Sequence, residues 1–392
     1  MTSLDSSEQK LPRALWSLLF GNFVIGTGIM VVPGTLNEIS QSLQVSVATA
    51  GQLISAAALM VCIGAPLFAT LIGNWDRRRL LALCMVWYGV LLVLCATMPS
   101  FRALLPVRVL AVIPAAIFTP QAAACVGLLV SPAQRGRAIT LVFLGWSVAS
   151  VLGMPVAAWI GGTLGWRTAF VLIGVMAFAS AAWVWLALPN GIKPPALSKE
   201  SWGATFRSRA LMLSIAVTTL YSAGQFVLFA YLAPYYRIVL NVTPTELSLL
   251  FAWFGLFGFL GNMLASRNID RLGPPRTVLI CVGSMALSLL LWPLATTVAL
   301  TALICVPWAL GCFSSNSAQQ ARLVSLHPNL AGGSIALNTS AMYAGQGMGA
   351  ASGGWLISQG QMGALHWYGF AGLVCAMAVS VWATRAQTAE HP

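Results

Sequence analysis

Long apolar runs follow one another along the 392-residue chain, separated by short stretches that hold most of the charged residues. The runs do not alternate between apolar and polar positions, so they predict helices and not the strands of a membrane barrel. Each run has roughly the 20 residues that a helix needs to cross a bilayer. The pattern predicts an all-α membrane protein with twelve transmembrane helices, at residues 14–36, 47–72, 79–98, 102–130, 136–162, 167–188, 210–236, 244–266, 275–294, 298–323, 331–358 and 364–384.

The composition agrees with a surface that faces the lipid bilayer. Hydrophobic residues make up 58% of the chain and charged residues only 7%, whereas about a quarter of the residues in a soluble domain are charged. A net charge of +12 would indicate a nucleic-acid partner for a soluble protein; here we expect none. The eight cysteines lie in apolar runs without a Cys-x-x-Cys or Cys–His cluster, so no metal or other cofactor is expected.

The basic residues are distributed unevenly between the two predicted faces of the membrane. Of the 20 lysines and arginines, all but Arg102, Arg108, Arg167 and Arg237 fall on the side of the N-terminus. Basic loops stay in the cytoplasm, and an even number of spans returns the chain to its starting side. We therefore expect a multi-pass protein of a bacterial inner membrane with both termini cytoplasmic.

The two halves of the chain resemble each other. Asp76-Arg77 and Asp270-Arg271 each follow the second predicted span of a half, and six further positions recur at one constant offset. Their first copies are Pro132, Gly136, Ile139, Leu141, Gly153 and Trp159, and their second copies are Pro328, Gly332, Ile335, Leu337, Gly349 and Trp355. The polar stretch 189–209 reads as a cytoplasmic linker between six-helix bundles at 1–188 and 210–392. Parallel repeats of this kind are typical of transporters with the substrate path between the halves.

The loop after the second span carries Gly73, Asp76, Arg77 and Arg78. It resembles the loop motif of the major facilitator superfamily, and Asp270-Arg271 resembles its degenerate second copy. The resemblance implies the twelve-helix fold of that superfamily, built from two pseudo-symmetric six-helix bundles. An aspartate there accepts charge-assisted hydrogen bonds from arginine and from a helix N-terminus, which holds the halves together at one face.

Two further features resemble the drug, sugar and nucleoside efflux permeases of the proton-antiport branch of the superfamily. Gly153 and Pro155 in span five resemble a glycine–proline motif, with Met154 where glycine usually precedes proline. Arg108 resembles the buried arginine of span four, and Glu38 is its nearest predicted counter-charge. Burying an arginine in the membrane is costly, so it needs a partner or a wet cavity.

The acidic residues depart from the pattern of that branch. Span one carries Gly26-Thr27-Gly28 without the buried carboxylate that commonly follows, and no acidic residue falls near the middle of a span. If protons couple to transport, the carrier is then a peripheral group such as Asp76 or Glu38. The absence of a central carboxylate also favours a neutral or weakly anionic substrate.

Polar and aromatic residues near the middle of the spans are candidate substrate contacts, because buried amides in lipid need partners or a water-filled cavity. They are drawn from spans one, four, seven and ten and from neighbouring spans that line the cavity of this fold. The candidates are Asn22, Thr27, Phe118, Gln121, Trp146, Ser150, Tyr221, Gln225, Phe226, Trp253, Asn316, Gln319, Tyr343 and Gln346.

The chain is therefore predicted to export a small organic molecule by alternating access as a monomer, with protons as the coupling ion. An uncoupled facilitator of a neutral solute is the alternative among carriers. A membrane-embedded enzyme would need a metal cluster, paired acids or an activated nucleophile, and the sequence has none of these motifs. A channel would more often use oligomeric symmetry to build its pore.

Overall fold

A computed structural model describes residues 13–72, 75–131, 135–193, 199–327 and 330–390. These residues form helices and connecting turns, with no β-strand among them. The helices of the N-terminal half are α1 (Arg13–Gly34), α2 (Leu36–Ser42), α3 (Val47–Leu71), α4 (Arg77–Thr97), α5 (Phe101–Ala111), α6 (Ile113–Leu129), α7 (Arg135–Val148), α8 (Met154–Leu164) and α9 (Trp166–Ala187).

The predicted linker contains α10 (Lys199–Arg207). The helices that follow are α11 (Arg209–Phe229), α12 (Leu232–Val239), α13 (Pro244–Leu272), α14 (Pro274–Leu291), α15 (Val298–Leu326), α16 (Ala331–Ser358) and α17 (Leu365–Glu390). The linker is thus partly helical, because α10 lies inside 189–209 and packs on α11 and α16.

Four predicted spans are broken helices, and the breaks have local causes. Span five changes to a π-helix at Ala149–Gly153, which ends two residues before Pro155. The proline ring and its missing N–H disturb the regular hydrogen-bond ladder of the preceding turn. Span four breaks at Val112, next to a proline in the first turn of α6. Span one breaks at Thr35, and span seven at Ala230 and Tyr231. Thr35 and Tyr231 are 196 residues apart, the same separation as the six repeated positions of the two halves, such as Pro132 and Pro328.

Eleven helical segments of the described chain are long and apolar enough to cross a membrane. The remaining predicted span is α16, which has 28 residues, is rich in glycine and serine, and also carries Asn338 and Gln346. Its polar composition suits its position, because α16 packs between α3 and α11. Large apolar side chains that face outward, such as Leu186 and Leu303, supply the lipid-facing surface.

The two halves meet along two seams. In the N-terminal half α1 packs on α7 and α9, and in the C-terminal half α11 packs on α16 and α17. Between the halves, α3 packs on α16, and α8 with the π-helix packs on α13. The fold is therefore the predicted all-α arrangement of two pseudo-symmetric helix bundles.

Candidate functional site

A central cavity of about 660 Å³ lies between the halves. Its walls come from α1, α3, α5, α6 and α7 on one side and α11, α13, α15 and α16 on the other, with Arg77 of α4 at one edge. The volume falls in the range of pockets that hold drug-sized molecules. Eight of the sequence-predicted contacts line it, namely Gln121, Trp146, Tyr221, Gln225, Phe226, Asn316, Tyr343 and Gln346.

The other candidates lie outside the cavity lining. Trp253 is 41% exposed on the outer surface of α13, where its indole N–H donates to the Ala302 carbonyl at 2.9 Å. Gln319 is buried in the C-terminal half and donates to the Ser214 carbonyl. Ser150 donates to Ser147 and lies at the α8–α13 seam.

Two candidates of the N-terminal half, Thr27 and Phe118, serve its internal packing. The Thr27 hydroxyl donates to the Phe23 carbonyl at 2.8 Å and lies against Gly153. A Cβ on Gly153 would lie 2.1 Å from the Thr27 Oγ1, so the glycine of the predicted motif permits a close approach between α1 and the start of α8. Phe118 is fully buried against Gly21.

Asn22 supports the cavity from behind. Its amide N–H donates to the Val142 carbonyl at 3.0 Å, and its Oδ1 accepts from the Thr119 hydroxyl at 2.7 Å. Thr119 in turn accepts from the Trp146 indole N–H at 3.2 Å. Thr119 lines the cavity but was not among the candidates, because a single threonine in an apolar run gives no distinctive signal.

Further hydrogen bonds between side chains support the cavity wall of the C-terminal half. Asn338 accepts from the Thr218 hydroxyl at 2.6 Å and donates to Asn316 Oδ1 at 3.2 Å. Gln225 accepts from the Trp308 indole N–H at 3.4 Å. Buried amides without partners are costly in a membrane, so these bonds hold Asn316 and Gln225 in place at the cavity wall.

Arg108 lines the cavity and is only 2% exposed. The prediction that Glu38 is its counter-charge was wrong, because Glu38 pairs with Arg237 at 2.7 Å instead. Arg108 Nη2 donates to the Gly28 carbonyl at 2.8 Å, and its guanidinium lies 5.7 Å from the centre of the Phe170 ring. The break after α1 carries Glu38 onto the separate helix α2, which turns it toward the C-terminal half.

The end of the cavity near Glu38 and Arg237, called here the closed end, is sealed by contacts between the halves. Besides the Glu38–Arg237 ion pair, the Ser248 hydroxyl donates to the Pro155 carbonyl at 3.0 Å. Gly255 packs directly against the Ser150 carbonyl, and Gly162 packs against Pro244. The glycines allow the helices to approach at backbone distance.

The opposite end, called here the basic end, carries the first loop motif. Gly73 lies outside the described residues. Asp76 caps α4 by accepting from the Arg79 N–H at 3.2 Å and also accepts from the Gly191 N–H beyond α9. Arg77 lines the cavity edge and donates to the Ile72 and Trp75 carbonyls at 3.0 and 2.7 Å.

The remaining motif residues of the basic end lie at the surface or partly exposed. Arg78 stacks over the Trp185 ring at 4.5 Å. Asp270 and Arg271 are exposed at the end of α13. The contacts of Asp76 described above stay within the N-terminal half and the start of the linker, so they do not close the cavity at this end.

Comparisons with known proteins agree with this architecture. A family model described as "Major Facilitator Superfamily" matches residues 18–350 and 217–392. The chain is 30% identical over 358 residues to the inner membrane transport protein YdhP of Escherichia coli (strain K12), covering 90% of each chain. It is 31% identical over 283 residues to a chloramphenicol resistance protein of Streptomyces lividans, covering 71% of each chain.

Solved structures show the same fold at low sequence identity. A D-xylose-proton symporter superposes with a TM-score of 0.75 at 17% identity, covering 94% of this chain and 96% of that chain. A peptide transporter POT bound to alafosfalin superposes with a TM-score of 0.75 at 14% identity, covering 96% of this chain and 95% of that chain. At such identities the similarity establishes the fold alone.

Proposed function

Because the chain belongs to the major facilitator superfamily and is a membrane transporter, not an enzyme, we propose that it exports a small organic molecule by alternating access. The observation that carries the proposal is the central cavity, which is sealed at the closed end and reaches Arg77 and Gln320 toward the basic end. Alternating access requires two states of the protein, in each of which the cavity between the helix bundles is sealed at one end. The structure has the form of one of these states.

We assign the basic end to the cytoplasm, in agreement with the distribution of arginine and lysine. Both termini then lie in the cytoplasm of a bacterial cell, and the structure represents the inward-facing state. In this state the cavity receives substrate from the cytoplasm, as an exporter requires. The similarity to a protein named for chloramphenicol resistance supports the outward direction of transport.

The substrate contacts that we propose are the eight predicted residues that line the cavity, together with Thr119 and Arg108. The moving halves are 1–188 and 210–392, joined by the linker 189–209. A monomer suffices for this function, because both walls of the cavity come from a single chain.

Proton coupling falls to Glu38 in this proposal. No acidic residue of the described chain lines the cavity. Backbone hydrogen bonds and the charge of Arg79 outweigh partial burial and lower the pKa of Asp76, which keeps it ionised, whereas burial raises the pKa of Glu38. Glu38 also joins the two halves through Arg237, beside a polar cleft of about 410 Å³ at the closed end.

An uncoupled facilitator is the second candidate, and the absence of a carboxylate in the cavity lining favours it. The two mechanisms differ in their response to a proton gradient. A facilitator equilibrates its substrate whatever the gradient, whereas an antiporter accumulates substrate against its concentration difference when protons flow the other way.

The proposal is tested with purified protein. A thermal-shift screen against drugs and metabolites first identifies a ligand, whose radiolabelled form is then followed into inverted vesicles with and without an imposed pH gradient. We expect saturable uptake that the gradient increases, and faster exchange when unlabelled ligand is present on the far side. Uptake without saturation, or without faster exchange, would contradict a carrier mechanism. Uptake that does not respond to the pH gradient would exclude proton coupling and favour the uncoupled facilitator.

A further inference from the structure

The charges that line the central cavity are of one sign. Arg77 and Arg108 are the charged residues in its lining, and no aspartate or glutamate of the described chain reaches it. The two arginines are placed differently. Arg77 adjoins Asp76 at the basic end and donates to backbone carbonyls there, whereas Arg108 lies among the membrane-spanning helices beside Gly28.

Arg108 forms no ion pair within the described part of the chain. Its Nη2 donates to one carbonyl, that of Gly28, while Nε and Nη1 make no hydrogen bond of normal geometry with any described residue. The side chain is nevertheless 2% exposed. A guanidinium stays charged even when it is buried, and a charge held inside the membrane normally pairs with an opposite charge or lies in a wet cavity.

A tyrosine hydroxyl lies beside this arginine. The Tyr88 hydroxyl lies close to the guanidinium and also donates to the Ile25 carbonyl at 3.3 Å. Tyr343 of α16 in the other half is near Tyr88 and lines the cavity together with Gln346. The cavity lining therefore combines the cation of Arg108 from the N-terminal half with neutral hydrogen-bonding groups of the C-terminal half, namely Tyr343 and Gln346.

The rest of the lining is largely apolar and aromatic. Phe143, Phe226, Phe229 and Phe313 line the cavity, together with aliphatic residues of α3. A ligand that fits both parts has an anionic group at one end and an apolar or aromatic body at the other. A planar carboxylate matches the fork of N–H donors on a guanidinium better than a neutral amide does.

We propose that this transporter binds organic anions, with a carboxylate held by Arg108 and an aromatic or aliphatic body against the phenylalanines of the cavity. The assignment rests on the proposed role of the cavity as the transport site. A bound carboxylate neutralises the buried charge of Arg108 and, through Tyr343, contacts both halves. Substrate binding thereby links the two bundles whose relative movement carries the substrate across the membrane.

Ligand pairs that differ in charge alone test the proposal. Binding of 1-naphthoate and 1-naphthamide, and of larger aryl carboxylates and their amides, is measured by calorimetry on the purified protein in detergent. We expect each acid that fits to bind at least about tenfold more tightly than its amide, the range given by hydrogen bonds to a charged group. Amides that bind as tightly as their acids throughout the series would overturn the assignment.

Variants then locate the anion. Arg108→Gln should reduce acid affinity about tenfold or more and leave amide affinity unchanged, so that the preference disappears. Arg102→Gln is the matched control, because Arg102 is exposed on the same helix, and it should retain the preference. Where Arg108→Gln does not fold, Arg108→Lys keeps the charge but loses the fork, and the acid preference should shrink. An unchanged preference in either Arg108 variant would overturn the proposal.

Flux measurements separate this inference from the proposed function. If acids bind at Arg108 but no radiolabelled acid crosses the membrane, the anion site stands and the transport role fails. If neutral or cationic compounds are transported and acids have no advantage, the transport role stands and the anion site fails.

Discussion

At the scale of single residues, Asp76 connects parts of the chain that are distant in sequence. One carboxylate oxygen caps α4 through the Arg79 N–H, and the other accepts from Gly191, where the chain leaves α9 for the linker. Partial burial acts to raise the pKa of Asp76, but the backbone bonds and the charge of Arg79 prevail and lower it. The carboxylate therefore stays ionised over the physiological pH range.

Asp76→Asn is predicted to impair cycling without impairing folding. Asparagine caps a helix about as well as aspartate, so we expect the free energy of unfolding to change by less than about 1 kcal/mol. It has one acceptor oxygen and no charge, so the transport rate should fall about tenfold or more. Vesicle flux and thermal melting measure the two effects.

Asp270→Asn provides the comparison for Asp76→Asn. Asp270 occupies the corresponding position of the second half but is exposed and makes no hydrogen bond within the described chain. Its substitution should change transport much less. A wild-type rate in Asp76→Asn would remove the argument for a conformational role of this loop.

At the scale of helices, the closed end depends on glycines that let backbones meet. A Cβ on Gly255 of α13 would lie 2.3 Å from the Ser150 carbonyl oxygen, and backbone on both sides leaves little room to adjust. Gly283 of α14 is different, because its nearest neighbour would be the Met377 side chain at 3.6 Å, an ordinary contact. The two glycines thus form a matched pair for substitution.

Gly255→Ala is predicted to open the α8–α13 seam. The added methyl overpacks the seam by about 1–3 kcal/mol and should shift the protein toward the state in which the closed end is open. A Ser248→Cys reporter in the seam then reacts faster with a membrane-impermeant thiol reagent applied from outside. Gly283→Ala should leave that rate unchanged, and equal rates in both variants would contradict the predicted role of the seam.

At the scale of the whole molecule, the Glu38–Arg237 pair joins the halves at the closed end. Two arginines contact the helix that carries Glu38. Arg237 of α12 pairs with Glu38 itself, and Arg167 at the start of α9 donates to the Ser42 hydroxyl at the end of α2 at 2.8 Å. The first turn of the adjoining helix α3 has no titratable group. Burial raises the pKa of Glu38 more than its own backbone and Arg237 lower it. The sealed conformation therefore binds a proton at Glu38 more tightly than a solvated glutamate does.

Acidification is predicted to favour the sealed conformation. The contribution of Glu38 to the sealed conformation is fully present below the ordinary glutamate pKa of 4.5. It is lost as the pH rises through the raised pKa of Glu38 in the sealed conformation. Labelling of any cysteine slows on acidification because the thiolate is the reacting species, so the rate is compared with that of a freely exposed cysteine at the same pH. Relative to that reference, labelling of Ser248→Cys from outside should slow as the pH falls across that window. This sign suits an exporter, because protons entering from outside return it to the inward-facing state.

Glu38→Gln imitates the protonated side chain and should remove the pH dependence of labelling that remains after comparison with the exposed cysteine. Glu246→Gln is the control, since Glu246 lies at the same end but is exposed and caps α13 with Thr243, and it should keep the wild-type response. A pH response that persists unchanged in Glu38→Gln would exclude Glu38 as the coupling group and favour the uncoupled facilitator.

Properties of the fold that depend on the local sequence were predictable without a structure. The spans follow from continuous apolar runs, because lipid requires each segment to satisfy its own backbone hydrogen bonds. The helices that line the cavity were also expected, and eight of the candidate contacts lie in its walls. Trp253 and Gln319 have the same residue types as contacts that do line the cavity, but Trp253 faces outward and Gln319 lies in a helix interface. They were among the candidates because composition does not reveal which way a helix turns its side chains.

The amino-acid sequence by itself determined the membrane-embedded helices, the bias of basic residues and the repeated halves, because each depends on the solvent that surrounds a short segment. Only the tertiary structure decided which end of the cavity is sealed, that Glu38 pairs with Arg237, and that Arg108 borders the cavity without a carboxylate. These features depend on contacts between residues far apart in the chain, and a broken helix such as α1–α2 redirects a side chain in a way that no local pattern records.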